Sequence, residues 1–560
     1  MKTQTKLFLI AFCILFFNSI LEAQEFKWAK RAGLWAYDYG YGICSDDLGN
    51  VYVTGKYEMD AMFDDVTIGC EGNHDIFIVK YDHQGNVIWV NSAGGLYGDY
   101  AHAIASDGEG NTYITGEIEA NVIFHGSEIK LSAWGKNDIF VAKYSPEGVP
   151  LWAHRGGGPL SDKGQSIAIS KDAVYVTGYI RDTALFNNDG AIKAISAGKK
   201  DAFIAKYDLS GNLIWLKRGG GPNDDEGSGI TVDAEGFIYV TGQIDGDVNF
   251  DGVAVKSKGG RDAYLVKYDP AGNLIWIKNE GGSSREAGMG VKAAKDGRIY
   301  VTGSFSSKAS FGTQSVSSNG SSDIFVACFT KDGQVVWAKN AGGSLADAGL
   351  GIASDDDSNV YITGNYGISA DFNGQVINGK DSAEIFIAKY DSNGEFKWVM
   401  NIEGKLDTKY ESQHEEAGRS IWVDSKKFVL VTGSYRTDAV LGPFNLQGWA
   451  NTDIFTTKIK QAESDESAYD TGIEVNISEN HFKVYPVPST GVLNITYSGN
   501  ETLNIKLKLE SLEGKILMEK HYLSSQNGTE IIMLNGIAKG IYFLQIGTEK
   551  EQVVRKIIIR

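Results

Sequence analysis

Proline and cysteine are scarce in this 560-residue chain, which has 8 Pro and 4 Cys. So little Pro beside 68 Gly excludes a collagen-like triple helix, which needs both at a period of three, and also a Pro-rich stalk. Four cysteines cannot staple a chain of this length, so its fold must rest on a core rather than a disulfide framework. A basic surplus is missing too: 53 Lys and Arg stand against 71 Asp and Glu, a formal net charge of −18. That balance does not neutralise phosphates, so no nucleic-acid partner is expected. No apolar run reaches the ~20 residues of a membrane-spanning helix, so no transmembrane segment is expected. What is present is 42% hydrophobic and 11% aromatic, too apolar for a disordered chain.

Residues 1–23 read as a secretory signal peptide, with Lys2 and Lys6 at the charged start, an apolar stretch from Leu7 to Phe17, and Ala23 before the cleavage point. Cys13 follows Phe12 rather than a small residue, which argues against lipidation. The mature chain is expected to be exported and soluble. Of its remaining thiols, Cys44 and Cys70 could pair, although buried free thiols are the simpler reading.

The glycine excess belongs to a repeat. Tyr-Val/Ile-Thr-Gly begins at Tyr52, Tyr113, Tyr175, Tyr239, Tyr300 and Tyr361, with a seventh copy at Leu430. Asp-x-Phe-x-x-Lys-Tyr begins at Asp75, Asp138, Asp201, Asp262, Asp323, Glu384 and Asp453, with Cys328-Phe329 replacing Lys-Tyr in the fifth copy. A third motif places Trp at 28, 89, 152, 215, 276, 337 and 398, a spacing of 61 or 63 residues. Short alternating runs separated by Asp-x-x-Gly-Asn turns predict four strands per unit. Seven such units describe an all-β, seven-bladed β-propeller over 24–460. The first Trp motif precedes any complete unit and the last Asp-x-Phe motif has no Trp strand after it. The N-terminal strand is therefore predicted to complete the last blade.

The ordered motifs resemble the SBBP-type β-propeller repeat, a resemblance that implies a fold and no particular activity. Residues 461–480 are acidic and polar, a linker composition. Residues 481–560 carry a net +3 and alternate in short runs, which predicts a small, Ig-like β-sandwich. This tail is similar to the type A C-terminal sorting domain of the bacterial type IX secretion system. The similarity rests on Tyr485-Pro-Val-Pro488, Gly491-x-Leu-x-Ile495, Gly540-Ile-Tyr-Phe-Leu544 and the terminal Lys556–Arg560. It implies export by that machinery from a Gram-negative cell, followed by release or attachment at the cell surface.

Two residue sets are candidates for function. Asp38, Asp99, Asp162, Asp225, Glu286, Asp347 and Glu416 each lie just before the first strand of a unit. They are expected to gather near one mouth of the central channel, where bracing of loops is favoured over Ca²⁺ coordination. No cofactor is otherwise expected. The second set lies in the longer connections: Lys409, Tyr410, His414 and Glu415 in an insertion, with His74, Trp134, Arg261 and Trp449 in loops before the Asp-x-Phe strand. Mixed aromatic and charged loops suit a glycan or protein ligand. The reading is a secreted or surface-bound, monomeric, non-catalytic binding module. The alternative is a carbohydrate-active enzyme pairing Asp347 with Glu415 or Glu416. The repeated Trp residues are read as packing between blades, and the motif Lys as a solvated strand-edge charge.

Overall fold

In the computed structural model, each sequence repeat supplies four strands that pair as one antiparallel sheet. The structure describes residues 24–186, 192–380, 383–404, 416–436, 438–448, 451–462 and 464. In the tail it describes 482–485, 492–497, 503–511, 515–524, 529–534, 537, 540–547 and 552–559. The chain divides into two compact units, Met1–Tyr469 and Asp470–Arg560.

The first sheet contains Tyr39–Ser45, Val51–Tyr57, Asp75–Tyr81 and Val87–Gly94, paired in that order. Five further four-stranded sheets begin at Tyr100–Ser106, Lys163–Ile169, Glu226–Val232, Glu286–Ala293 and Ala348–Ser354. The last takes Ala417–Val423, Val429–Tyr435 and Asp453–Lys460 from the end of the repeat and Glu25–Gly33 from its beginning. Each first strand touches the first strand of the next sheet, and the last returns to Tyr39–Ser45, so the described sheets form a closed ring of blades.

The motifs are explained by close approach. Thr54 donates its hydroxyl to the Phe77 carbonyl at 2.7 Å, and Thr115, Thr177, Thr241, Thr302, Thr363 and Thr432 do the same in their blades. The following Gly is obligatory, because a Cβ on Gly55 would lie 1.8 Å from the Tyr39 carbonyl oxygen of the first strand. In the Asp-x-x-Gly-Asn turn, Asp82 Oδ1 accepts from the Gln84 and Asn86 amides, and Gly85 takes a φ of +88°.

Adjacent blades are joined by the Trp strand. Trp28 Nε1 donates to the His83 carbonyl in the turn of the next blade, at 3.2 Å. Trp89, Trp152, Trp215, Trp276 and Trp337 repeat this to Pro146, Leu209, Pro270, Lys331 and Ser392. The motif Lys is not solvated, contrary to expectation. Lys80, Lys206 and Lys267 are buried and donate to those same Pro146, Pro270 and Lys331 carbonyls, each ammonium lying 5.0–5.4 Å from the centroid of the motif Tyr ring. The third strand has neighbours on both faces, so every residue of Asp75–Tyr81 is buried and period-two alternation does not expose the Lys. Where Cys328 replaces Lys, the Arg298 guanidinium donates to the Ser392 carbonyl instead. Cys44, Cys70 and Cys328 are free thiols.

In the second unit, Phe482–Tyr485, Val492–Tyr497 and Thr529–Met533 form one sheet. Leu503–Ser511 lies between Ile516–Ser524 and Gly540–Gly547 in another, with Gln552–Ile559 at its edge. Ile505, Leu507, Leu509, Leu544 and Ile546 bury one face of that sheet. Among the described residues no helix is long and apolar enough to cross a membrane.

Trp28 is 6% exposed on the strand that closes the ring. Trp28→Ala should cost about 3–5 kcal/mol, and Trp28→Phe, losing mainly the Nε1 bond, about 1 kcal/mol. Denaturant unfolding checks this, and equal stability of the alanine variant and the parent would show that closure contributes nothing.

Candidate functional site

The seven acids preceding the first strands are buried, from 0% exposed at Asp38, Asp99, Asp162 and Asp225 to 7% at Glu416. Each is enclosed at its own blade junction, braced by backbone amides. Asp38 accepts from Leu34 N, just past the preceding blade's outer strand, and from Glu58 N, beyond its own second strand. Asp162 binds Gly158 N and Arg181 N in the same way, Asp225 binds Gly221 N and Asp245 N, and Asp347 binds Gly343 N and Gly367 N. Asp99 accepts from Glu119 N, Glu286 from Gly282 N and Glu416 from Arg436 N. Asp347 and Glu416, offered as a hydrolytic pair, are thus occupied in separate junctions.

Burial raises six of these carboxyl groups, and the Asp-x-Phe acid of the neighbouring blade adds like charge. Asp225 and Asp347 are pushed up to about 6, Asp38, Asp162 and Glu286 to about 7, and Asp99 to about 8.

The connections read as binding loops are largely β-structure. Each folds as a hairpin reaching back to the end of the preceding blade's outer strand, as in Ala32 opposite Phe63, Ala93 opposite Phe124 and Gly156 opposite Phe186. Trp134 and Arg261 accordingly lie within the strands Lys130–Tyr144 and Val253–Tyr268. Trp134 stacks on the Arg155 guanidinium at 3.4 Å, and Arg261 lies 3.8 Å from Asp224 and 3.9 Å from Asp245. The two belong to different blades and share no partner here. Lys409, Tyr410, His414, Glu415 and Trp449 lie outside the described residues.

The concave site is the centre of the ring, a cavity of about 490 Å³ walled by all seven first strands. Among the described residues three cations line it, Lys163, Lys292 and Arg419, and no Asp or Glu does. On the side of the long connections, Tyr41, His102 and Arg419 occupy equivalent positions of three consecutive blades. Arg419 lies 5.3 Å from the Tyr39 and Tyr41 ring centroids and donates Nε to the Ser434 hydroxyl at 3.4 Å. The Tyr41 and His102 ring centroids are 5.2 Å apart. His102 Nε2 donates to Glu117 Oε1 at 3.1 Å, while Lys163 approaches the same oxygen at 3.7 Å from the next blade. Burial holds the His102 imidazole down at about 4, so it is neutral at physiological pH. His74 joins the rim of this cluster through Tyr100, whose hydroxyl lies 3.3 Å from its Nδ1 and whose ring centroid is 6.1 Å from that of His102. Nearer the short-turn side, Lys292 and Trp422 meet across the cavity from two non-adjacent blades, the ammonium 4.8 Å from the ring centroid.

Of the candidate ligand residues, His74 alone is seen to reach this cluster, and sequence reasoning missed Tyr41, His102, Lys292, Arg419 and Trp422. The available signal was column variation. Five residues after the junction acid every blade has Ile or Val, at Ile43, Ile104, Ile167, Ile230, Val291, Ile352 and Ile421, all buried. Two residues earlier the same strands carry Tyr41, His102, Gln165, Ser228, Met289, Leu350 and Arg419.

Residues 27–56 and 214–249 match the beta-propeller repeat family SBBP, residues 294–335 a beta-propeller domain of unknown function, DUF5122, and residues 483–560 the secretion system C-terminal sorting domain. An uncharacterized WD repeat-containing protein of Acanthamoeba polyphaga mimivirus is 22% identical over 509 residues, or 73% of this chain and 36% of that protein. The regulatory protein FlaEY of Caulobacter vibrioides is 29% identical over 171 residues, or 30% of this chain and 17% of that one. The chain thus spans about a third and a sixth of these relatives. Among solved structures, a DUF4221 family member from Bacteroides vulgatus aligns at 11% identity and TM-score 0.32, over 68% of this chain and 98% of its own. A glycoside hydrolase family 32 protein from Bifidobacterium adolescentis aligns at 9% identity and TM-score 0.23, over 95% of each chain. Alignments at these scores carry no weight for activity.

The junction acids give stability an unusual pH dependence. Unfolded, they titrate near 4. Folded, they hold their protons to about 6–8. The folded ring therefore keeps protons that the unfolded chain releases, and stability falls as pH rises across that window. His102 opposes this, but only between about 4 and its unfolded value near 6.5. Melting temperature should fall from pH 5 to pH 8, and Asp99→Asn should flatten the slope. Calorimetry showing a rising profile would refute the assignment.

Proposed function

We propose that this chain is an exported, non-catalytic binding module whose ligand site is the central cavity of the propeller. The sorting domain supports export to the medium or cell surface of a Bacteroidetes-type bacterium. The observation that carries the binding reading is the breaking of a rigid repeat at one place. Seven nearly equivalent strands surround the cavity, and Tyr41, His102, Arg419, Lys292 and Trp422 project unlike chemistry into it. Aromatic faces and hydrogen-bonding groups on a pre-formed wall suit a saccharide or a protein segment. Hydrolysis by the junction acids finds no support, because Asp347 and Glu416 are committed to backbone amides.

Two measurements test this reading. Retention of the full-length exported protein on a glycan array or on cell-surface extracts should drop at least tenfold in Tyr41→Ala. Unchanged retention would move the site out of the cavity, and saccharide turnover detected at reducing ends would make the protein an enzyme. Separately, deletion of residues 481–560 should leave the protein in the periplasm, and normal surface delivery would overturn the sorting role.

A further inference from the structure

The chain is acidic, yet among the described residues the wall of its central cavity carries Lys163, Lys292 and Arg419 and no carboxylate. Lys163 is partly neutralised by Glu117, which lies behind the wall. The other two are not. Among the described residues Arg419 has a hydroxyl and two aromatic rings as partners and no acid. Among the same residues the Lys292 ammonium has the Trp422 ring and neither a hydrogen bond nor an ion pair. A half-buried ammonium facing a cavity without a counter-charge is costly, and burial lowers its proton affinity. Such a group is stabilised by any anion that enters.

We propose that the ligand of the cavity is an acidic saccharide, a short sugar bearing carboxylate or sulfate groups; this deepens the binding reading above and rests on it. Arg419 and Lys292 supply the charge recognition. The guanidinium is suited to bidentate contact with a carboxylate or sulfate, and the ammonium acts as a point charge. Trp422 and Tyr41 offer ring faces to the apolar faces of a sugar, and Gln165, Ser228 and Thr231 offer partners to its hydroxyls. A volume of about 490 Å³ lies within the range of pockets that enclose a small molecule. The two cations stand on different blades and at different depths, Arg419 toward the long-connection side and Lys292 three positions further along its strand. An oligosaccharide with an acid group on successive residues would meet both.

Isothermal titration of the full-length exported protein with digalacturonate, a chondroitin 4-sulfate disaccharide and neutral lactose tests the assignment. At least one acidic probe should bind saturably at one site, at least tenfold more tightly than lactose, and more weakly as salt rises. Arg419→Gln and Lys292→Met should each weaken it at least tenfold, Arg419→Lys, which keeps the charge and loses the planar fork, should recover only part of it, and Lys295→Met, at an exposed position, should leave it unchanged. Because the chondroitin disaccharide carries a carboxylate as well as its sulfate, tighter binding of it than of digalacturonate points to sulfate recognition, and the reverse order to carboxylate recognition. Equal binding of lactose, dependent on Tyr41 but not on the cations, would overturn the acidic ligand and leave the cavity as the site. Acidic binding untouched by Tyr41→Ala and by both cation variants would overturn the site as well. Absence of saturable binding by either acidic probe also overturns the proposal.

Discussion

Each blade junction turns on one buried carboxyl group. Asp38 shows the device: its two oxygens take an amide just past the outer strand of one sheet and an amide beyond the second strand of the next. Backbone amides left without partners in such a seam would cost more than the bonds themselves contribute, so the carboxyl group is tightly specified. A charge is costly there, which is why burial raises the proton affinity of six of these groups. Repetition of the same brace around the circle sets the relation of each sheet to its neighbour. The cavity is the space left when seven such relations close on themselves.

Net charge proves a poor guide to that space. With +1 in residues 1–23 and +3 in residues 481–560, the stretch between them carries −22, which on its own argues for neutral glycans, cations or basic proteins as ligands. Among the described residues, the acids that contribute to this figure face solvent, are enclosed in the junctions and turns, or, like Glu117, lie behind the cavity wall. Inside the cavity the nearest groups dominate, because a low-dielectric wall screens them less than water does. Three cations on that wall outweigh a distant excess of opposite sign.

The repeat, its strands and the role of the Trp residues were legible because they depend on spacing and on residue types with one mechanical use. The Lys of the third strand was not. Strand alternation assigns it to an outer face, but that strand is covered on both sides and the Lys reaches a carbonyl of the next blade. The connections before Asp-x-Phe were misread for a related reason. Their Gly, Ser and charged residues look like loops, whereas Phe63, Phe124 and their counterparts hold them as hairpins against the preceding blade. Arg419 and Lys292 were hidden among ordinary strand residues. Nothing in one strand tells which side chain faces an axis until all seven are placed around it.

The hydroxyl of Thr457 bonds to the carbonyl of Trp28 across 429 residues of sequence. Every blade but the last is made from neighbouring segments and can form as soon as its own stretch is free. The last waits for both ends of the repeat. Closure joins segments at the longest sequence separation in the ring, the kind of contact that is slow to find. Until it occurs, the chain is an open arc with two unpaired strand edges, exposed to proteases and to other chains. A chain cut short anywhere before residue 460 loses part of the strand that receives the N-terminal one, so its damage shows at the opposite end. The arrangement works as a proofreading step for length, since a complete chain alone hides both of its edges.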